Sequence, residues 1–363
     1  MNAALPGILS GKGLNATLGL ADKIFSSSEE RRFVAAVERG LEEVEVRLLS
    51  EMSFTDALAD VTSRYLLVAG GKRVRPTLAL LTAQLGDGNE PAVISAAAAI
   101  EITHLASLYH DDVMDEALVR RGVPSAQAVW GNSVAILTGD LLFARASKLV
   151  ASLGEETIRL QSDTFERLCL GQLHETIGPR ADEDPVAHYL QVLADKTGSL
   201  IAAAAQTGII LSGASREFQA PVTEFGEKIG IAFQLIDDVI DLSPLVETTG
   251  KEAGTDLRSG VSTLPMLYLR QRAETDSTAE GLLSRLDRDV TAINTGSVGL
   301  DSPDGADLTL AIDELRNHDV TRQTLAEAQR WAREAVEAIA PLPNGPVKKA
   351  LTRFADSIVA RSH

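Results

Sequence analysis

The spacing of apolar residues limits the fold of this chain more than any other feature. From Glu29 onward these residues recur every three or four positions, which is the period of one face of an α-helix. The first such face consists of Phe33, Val34, Val37, Leu41, Val44 and Leu48. Similar patterns cover 55–69, 76–86, 91–117, 124–151, 157–178, 185–212 and 216–242, with no convincing strand-like alternation between them. The sequence therefore predicts an all-α protein.

The segment 193–212 is apolar on nearly every side, which is typical of a helix in the middle of a large bundle. Residues 1–28 have only a weak amphipathic pattern and predict a flexible N-terminal arm. Residues 288–308 combine Gly, Ser, Asp and Pro without periodicity and predict a surface loop. The few helices after that loop could not bury a core of their own, so we predict a single all-helical domain over 29–363.

Charge and cysteine content exclude several classes of protein. The net charge of −17 repels phosphate backbones, so we expect no nucleic-acid partner. The single cysteine rules out a disulfide framework and fits a cytoplasmic location. No basic segment followed by an apolar run opens the chain, and no apolar run is long and uninterrupted enough to predict a transmembrane segment.

Carboxylates are concentrated at Asp111, Asp112 and Asp115, inside the helix that begins near Pro91. Asp111 and Asp115 lie one helical turn apart on the same face, and three carboxylates so placed repel each other. A hard cation between them removes the repulsion, and Mg²⁺ prefers such oxygen ligands together with phosphates. A lone cluster of this kind is more typical of a solvated acidic helix face.

The same spacing recurs at Asp237, Asp238 and Asp241, within the apolar segment GIAFQLIDDVIDL. Charged groups among apolar residues need partners, so this second cluster does not resemble a solvated face. Two such clusters could bind several Mg²⁺ ions and neutralise a diphosphate as it leaves carbon. The repeat therefore favours metal-assisted diphosphate chemistry.

Cationic and polar side chains accompany both clusters along the chain. Each group alone is typical of solvated charge or of a structural residue, but guanidinium and ammonium groups together suit phosphate binding. The candidates near the first cluster are Lys72, Arg73 and Arg75 in a glycine-containing loop, His104 two turns before Asp111, and Arg120 and Arg121 after Asp115. Those on or beside otherwise apolar helices are Lys196, Thr197, Gln234 and Lys251.

Together these motifs resemble those of the trans-type polyprenyl diphosphate synthase family, long-chain branch. The motifs GGKRVRP, HLASLYHDDVMD followed by RR, DKTG, FQLIDDVID and GKEAGTDLRSGVSTLP occur in the family's order and cover most of 30–275. The resemblance implies one large orthogonal helical bundle of the isoprenoid synthase type with a central cavity. It also implies a homodimer.

The resemblance implies a Mg²⁺-dependent prenyltransferase that condenses isopentenyl diphosphate head-to-tail onto an allylic diphosphate, with about three Mg²⁺ per active site. The product would be a quinone side-chain precursor that passes to membrane enzymes. The implied metal ligands are Asp111, Asp112, Asp115, Asp237, Asp238 and Asp241. The implied allylic contacts are Arg120, Lys196, Gln234 and Lys251, while Lys72, Arg75, His104 and Arg121 would hold isopentenyl diphosphate, and Thr197 would face the developing cation.

Product length is the part of this hypothesis with an open alternative. In the family, bulky side chains one turn before the first cluster stop chain growth, and here Ala106 and Ser107 are small. They favour a long product, although a floor built by another helix would make the protein a geranylgeranyl diphosphate synthase. Tyr109 should face away from the substrate. Val261 stands where many relatives have a lysine, and its absence should weaken allylic diphosphate binding.

Two other classes of protein share part of the pattern. A terpene cyclase would carry the first cluster, but its second motif normally mixes Asn, Ser or Thr with Glu. A non-catalytic partner subunit of a two-component synthase would lack one cluster, and this chain keeps both.

Overall fold

Helices form nearly all of the regular structure in the computed structural model, which describes residues 27–243, 253–294 and 303–362. The chain begins with α1 (Ser28–Glu51), α2 (Ala57–Val68), α3 (Val74–Ala83) and α4 (Pro91–Met114). A two-stranded hairpin follows, β1 (Val119–Arg120) and β2 (Val123–Pro124), and then α5 (Ala126–Trp130), α6 (Asn132–Val150) and α7 (Glu155–Ile177). Next come α8 (Pro185–Leu193), a π-helical turn (Ala194–Gly198), α9 (Ser199–Leu211), a 3₁₀ turn (Arg216–Phe218) and α10 (Gln219–Asp241). The remaining elements are α11 (Thr255–Arg258), α12 (Leu264–Ala273), α13 (Ser277–Asn294), α14 (Pro303–Asn317), α15 (Asp319–Ala338), α16 (Pro346–Val359) and a 3₁₀ turn (Ala360–Ser362).

The all-α prediction is confirmed, and the helices follow the predicted segments with two interruptions. Gly131, with φ of +83°, separates α5 from α6 inside the predicted 124–151 segment, because this backbone conformation does not continue a helix. The π-helical turn interrupts 185–212 at Ala194–Gly198. Ser27 caps α1 by accepting from the Glu30 N–H.

Two compact units divide the chain. The first unit contains the residues up to Leu168, Ser199–Glu227 and Ala335–Ser357, and the second contains Cys169–Gly198, Lys228–Glu334 and the residues from Ile358 onward. The single domain over 29–363 stays a prediction.

Small residues bring the helices of the first unit close together. Ala96, Ala97, Ala98 and Ala99 of α4 are buried, and α4 packs on α1, α3, α6 and α9. A Cβ on Gly208 of α9 would lie 2.1 Å from Oγ1 of Thr82 and 2.3 Å from the Ala79 carbonyl oxygen, so only glycine allows α9 this approach to α3. The alanine-rich composition is therefore explained by close helix packing.

Helix α4 is long and apolar enough to cross a membrane by length and composition alone. However, 72% of its most apolar window is buried inside the protein. A helix at the centre of a protein core passes the same test, and the neighbours of α4 give it that position.

The second unit has an apolar core built largely from α12, α13 and α14. Its central side chains are Leu269, Leu282, Leu286, Leu308, Ile312 and Leu315, each almost fully buried. The structure corrects the predicted surface loop over 288–308 at its two ends, because α13 continues to Asn294, α14 begins at Pro303, and Leu308 is buried. The Gly, Ser and Asp content of the segment hid the apolar spacing from Leu308 to Leu315.

Some predictions concern residues that the structure does not describe. Residues 1–26 of the predicted N-terminal arm lie outside the described residues, whereas Ser27 and Ser28 belong to the start of α1. Lys251 and residues 295–302 also lie outside them.

Candidate active site

The first aspartate cluster lies at the end of α4, where the three carboxylates differ in exposure. Asp112 is fully buried, Asp111 is half-buried, and Asp115 is exposed at the end of the helix. Oδ1 of Asp112 accepts a hydrogen bond from Nε of Arg120 at 2.6 Å. Its Oδ2 is buried and has no hydrogen-bond donor among the described residues. Burial raises the pKa of Asp112, although Arg120 opposes the effect.

An unsatisfied carboxylate oxygen inside a protein is unfavourable unless a cation or donor reaches it. The oxygen-only donors of Asp111, Asp112 and Asp115 are the ligands that Mg²⁺ prefers. The donor chemistry of these residues therefore suits Mg²⁺ at the end of α4, although no three carboxylate, imidazole or thiol groups of the described residues are already assembled around one point.

The β1–β2 hairpin positions the arginine pair that follows the cluster. Val119 pairs with Pro124 and Arg120 with Val123, and the turn places Arg121 and Gly122 at φ of +54° and +76°. Two left-handed residues in a two-residue turn match a type I′ hairpin, but such a φ is unfavourable for arginine. The guanidinium of Arg121 donates to the carbonyls of Leu66, at 2.8 Å, and Gly70. These contacts hold Arg121 in this conformation.

Cations outnumber anions between this hairpin, α3 and α4, where Glu101 is the acid that interacts with both Arg75 and Arg121. Nε of Arg75 is buried and has no acceptor among the described residues, and burial lowers the pKa of Arg75 to about 10. Burial also lowers the pKa of Arg121. The pKa of His104 is held well below its ordinary range, first by burial and then by Arg75 and Arg121. A neutral imidazole and two poorly compensated guanidinium groups form a site suited to an anion such as a diphosphate.

Arg73 differs from its two neighbouring cations because all of its N–H donors are already used. Its guanidinium donates to Glu45, Glu101 and the carbonyls of Leu67 and Gly70, which accounts for five N–H groups. Arg73 and Glu101 are both buried, with 5% and 2% of their side chains exposed. Arg73 was expected to contact substrate. Its hydrogen bonds instead give it a structural role, because they fix the loop before α3.

Glycine at position 71 is required by the same loop. A Cβ there would lie 2.5 Å from Nη1 of Arg73 and 3.1 Å from Nη1 of Arg121. Gly71 also has φ of +151°. The absence of a side chain lets two guanidinium groups approach the backbone, while Lys72 lies exposed beside them.

The second aspartate cluster lies at the end of α10, in the second unit. Asp238 is almost fully buried, and its Oδ2 accepts from Oη of Tyr189 at 2.8 Å and from the Leu264 N–H at 3.5 Å. Burial, together with the nearby carboxylates of Asp256 and Asp237, raises the pKa of Asp238 to about 8, although the hydrogen bonds from Tyr189 and the Leu264 N–H act in the opposite direction.

The two outer carboxylates of this cluster have partners of their own. Oδ1 of Asp237 forms an ion pair with Nη2 of Arg361 at 2.9 Å. Oδ2 of Asp241 accepts from the Asp256 N–H at 3.1 Å, within the first turn of α11. The oxygen donors of Asp237 and Asp238 fit a second magnesium site, whereas one oxygen of Asp241 already caps a helix.

Close glycine contacts bring the π-helical turn to the helix that carries the second cluster. A Cβ on Gly230 of α10 would lie 2.6 Å from Cα of Gly198. The turn holds Lys196 and Thr197, both half-buried, and Nζ of Lys196 contacts Oε2 of Glu175 at 2.5 Å. Single π-helical turns inside helices are frequent at functional sites. Gln234 lies one turn before Asp237 and Asp238 on α10 and is half-buried.

An apolar cavity lies upstream of the first cluster in the first unit. On α4 its lining runs back from Thr103, one turn before Ser107, through Ile100 and Ala99 to Ala96. Helices α7 and α9 complete it with Thr157, Leu160, Gln161, Thr164, Leu200, Ala203 and Thr207, and Val150 of α6 also lines it. The volume is about 20 Å³, which accommodates about one water molecule.

The threonines of this cavity present little polarity to its interior. The hydroxyls of Thr103, Thr164 and Thr207 each donate to the carbonyl four residues earlier in the same helix. Their hydrogen-bonding capacity is thereby used within the helix, which suits the cavity to hydrocarbon.

The residues predicted to control product length are small and buried. Ala106 has no exposed surface, and Ser107 has 8% and donates to the His104 carbonyl at 2.9 Å. Tyr109 is fully buried, with its hydroxyl donating to the Thr62 carbonyl, and its orientation away from the substrate stays a prediction.

Three contributors escaped the sequence analysis. Tyr189 and Arg361 contact the second cluster from distant positions, and no local motif marks either of them. Glu101 lies in an apolar run of α4, and a buried acid there is a signal that a cation lies nearby.

The family model described as "Polyprenyl synthetase" matches residues 56–295. A nonaprenyl diphosphate synthase from Mycobacterium tuberculosis is 42% identical over 330 residues, which span 91% of this chain and 94% of that protein.

Solved structures give matching folds. A polyprenyl synthase from Caulobacter crescentus, complexed with calcium and isoprenyl diphosphate, is 30% identical with a TM-score of 0.79, over 92% of this chain and 98% of that one. A geranylgeranyl pyrophosphate synthase from Corynebacterium glutamicum, complexed with the same two ligands, is 38% identical with a TM-score of 0.76, over 93% and 99%.

Proposed function

This chain belongs to the polyprenyl synthetase family, and we propose from that membership that it condenses isopentenyl diphosphate head-to-tail onto an allylic diphosphate to make a long-chain polyprenyl diphosphate. The observation that carries the proposal is the buried Oδ2 of Asp112, which has no hydrogen-bond donor among the described residues and belongs to a sequence cluster of three carboxylates. The anion site formed by Arg75, Arg121 and His104 lies in the same unit.

Mg²⁺ is the proposed metal, with about three ions per active site. Asp111, Asp112 and Asp115 would hold it in the first unit, and Asp237 and Asp238 in the second, where Asp241 has one oxygen engaged. When bound, Mg²⁺ supplies charge neutralisation for the diphosphate leaving the allylic carbon. The calcium in two related structures supports divalent-metal binding.

The residues of the chain divide the remaining tasks. Arg120 fixes the orientation of the Asp112 carboxylate through the 2.6 Å hydrogen bond. Arg75, Arg121 and Lys72 bind the diphosphate of isopentenyl diphosphate, and the neutral His104 can donate an N–H to it without adding charge.

The chemical step requires no protein nucleophile. The isopentenyl double bond attacks the allylic carbon as its bond to diphosphate breaks, and a proton then leaves the new chain to the released pyrophosphate. Thr197 and Gln234 direct oxygen dipoles toward the developing positive charge, and Lys196 and Lys251 contact the allylic diphosphate. These four roles come from the family resemblance.

The proposed product is a quinone side-chain precursor of about the length made by the nonaprenyl relative. Ala106 and Ser107 are small and buried, and the apolar cavity begins one turn farther back along α4, at Thr103. With a volume of about 20 Å³, the cavity must widen to admit a long chain. That narrowness favours a second candidate, a geranylgeranyl diphosphate synthase, as does the 38% identical relative.

A homodimer in the cytoplasm belongs to the same proposal. Val129, Ile136 and Leu137 of α5 and α6 are between 41% and 65% exposed, and apolar groups of this kind are typical of an interface. Light scattering of the purified protein tests the dimer, and cell fractionation tests the location.

The direct test is pyrophosphate release by the purified chain with isopentenyl diphosphate, farnesyl diphosphate and Mg²⁺. We expect release that requires both substrates and stops with a chelator. Asp111→Asn should lose it, while Asp163→Asn, a change at an exposed aspartate of α7, should retain it. Release without isopentenyl diphosphate would indicate a cyclase, and no release would favour a partner subunit.

A further inference from the structure

Arg361 contacts the second aspartate cluster from the 3₁₀ turn that follows α16. Its Nη2 lies 2.9 Å from Oδ1 of Asp237, and its guanidinium carbon lies 4.8 Å from the ring centroid of Phe233. Phe233 and Asp237 are four residues apart on α10 and therefore share a face. The side chains of Arg361 and Asp237 are 31% and 34% exposed, so the pair is accessible to solvent ions.

The other terminal nitrogen of Arg361 is not satisfied. Nη1 is buried and has no acceptor among the described residues. A buried N–H without an acceptor is unfavourable. An anion bound beside Asp237 would supply the missing acceptor. Nη2 of the guanidinium is thus paired with a carboxylate, whereas Nη1 has no acceptor among the described residues.

A metal ion and Arg361 compete for the same carboxylate. Mg²⁺ on Asp237 would stand close to the guanidinium, and the two positive charges repel each other. A diphosphate bound to the metal would attract the guanidinium instead of repelling it. Its several oxygens can accept hydrogen bonds from both N–H groups of a forked guanidinium, whereas Asp237 offers Arg361 one carboxylate oxygen.

We propose that Arg361 is a positioning residue that neutralises Asp237 while the metal site is empty and moves to the diphosphate when metal and substrate bind. The inference rests on the proposed function, since it needs Asp237 to be a metal ligand. It predicts effects of opposite sign on the affinity for metal alone and on the affinity for metal with diphosphate.

The test is titration of the full chain with Mn²⁺, with the free ion measured by electron paramagnetic resonance, in the absence and presence of inorganic pyrophosphate. The variant is Arg361→Gln, with Arg361→Lys as the conservative change. Arg285→Gln is the matched control, because Arg285 pairs with Glu314 in the same unit and both side chains are 42% exposed.

With Mn²⁺ alone, Arg361→Gln should bind about two- to fivefold more tightly than the wild type, which is the range for a partly exposed ion pair. With pyrophosphate it should bind more weakly than the wild type by a similar factor. Arg361→Lys should stay near the wild type with Mn²⁺ alone, because it keeps the charge, and should show part of the loss with pyrophosphate, because it lacks the fork. Arg285→Gln should change neither value.

Two results would overturn the inference in distinguishable ways. Wild-type binding of Mn²⁺ together with an Arg361→Gln variant unchanged in both titrations would refute the role of Arg361 and leave the proposed function standing. Failure of the wild type to bind Mn²⁺ even with pyrophosphate would refute the metal site and the role of Arg361 with it.

Discussion

Replacing Arg73 with methionine should lower the thermal stability of the protein without weakening substrate binding. The change removes five hydrogen bonds and takes from Glu101, with 2% of its side chain exposed, its directly paired cation, so that only the more distant charges of Arg75 and Arg121 remain near it. Breaking a buried ion pair in this way costs about 3–5 kcal/mol. The contact to Glu45, which is 21% exposed, adds little. For a cooperative unit of this size the loss corresponds to a melting point lower by roughly 6–20 °C.

Arg75→Met is the matched control, because Arg75 lies two residues away and its Nε has no acceptor among the described residues. Thermal unfolding and the KM for isopentenyl diphosphate are measured for both variants. We expect Arg73→Met to lower the melting point with KM nearly unchanged, and Arg75→Met to raise KM at least about tenfold, since a hydrogen bond to a charged group contributes about 1.5–3 kcal/mol. The double change Arg73→Met/Glu101→Gln should recover part of the stability, because no charge is left buried. A raised KM with full stability in Arg73→Met would refute this reasoning.

Three further changes test other parts of the account. Asp112→Asn should reduce turnover at least about a hundredfold with unchanged helical circular dichroism, because it removes a metal ligand; retained turnover would contradict the metal site. Ser107→Phe should shorten the product, measured by chromatography, because the larger side chain would block the path along α4 toward Thr103. An unchanged product length would mean that a different residue stops chain growth. The depressed pKa of His104 means that the unfolded chain takes up a proton near pH 6.5 that the folded protein does not, so stability should fall as pH drops through that value. Unfolding midpoints of His104→Gln should show a smaller loss between pH 7 and 5 than the wild type, and equal losses would contradict the buried neutral imidazole.

Local patterns were sufficient for the helices and for both aspartate clusters. Apolar spacing gave the boundaries of α1, α2, α4 and α10 within a few residues, because each helix buries one face or more. The second cluster stood out because charge within an apolar helix needs a partner, but the burial of Asp112 and Asp238 within their clusters is seen only in the structure.

Contacts between distant segments could not be predicted from the sequence. Arg73 and Arg75 are equivalent cations in the sequence. Only the structure shows that Arg73 is paired with Glu45 and Glu101, whereas Nε of Arg75 has no acceptor in the described part of the chain. In the sequence, Tyr189 resembles any other aromatic residue of an amphipathic helix. Its contact with the second cluster is seen only in the structure, where its hydroxyl donates from α8 to Asp238. The helix that begins at Pro303 was not predicted because polar residues outnumber apolar ones in its sequence. Its apolar residues nevertheless lie at helical spacing and pack into the core.

The most direct test of the central claim is the size of the product made by the purified protein. Labelled isopentenyl diphosphate and Mg²⁺ are incubated with geranyl, farnesyl or geranylgeranyl diphosphate, and the dephosphorylated products are separated by length. We predict products much longer than geranylgeranyl, near the length made by the nonaprenyl relative. A product that stops at the geranylgeranyl length with every starter would contradict the long-chain function, and no product with any starter would contradict the proposed reaction itself.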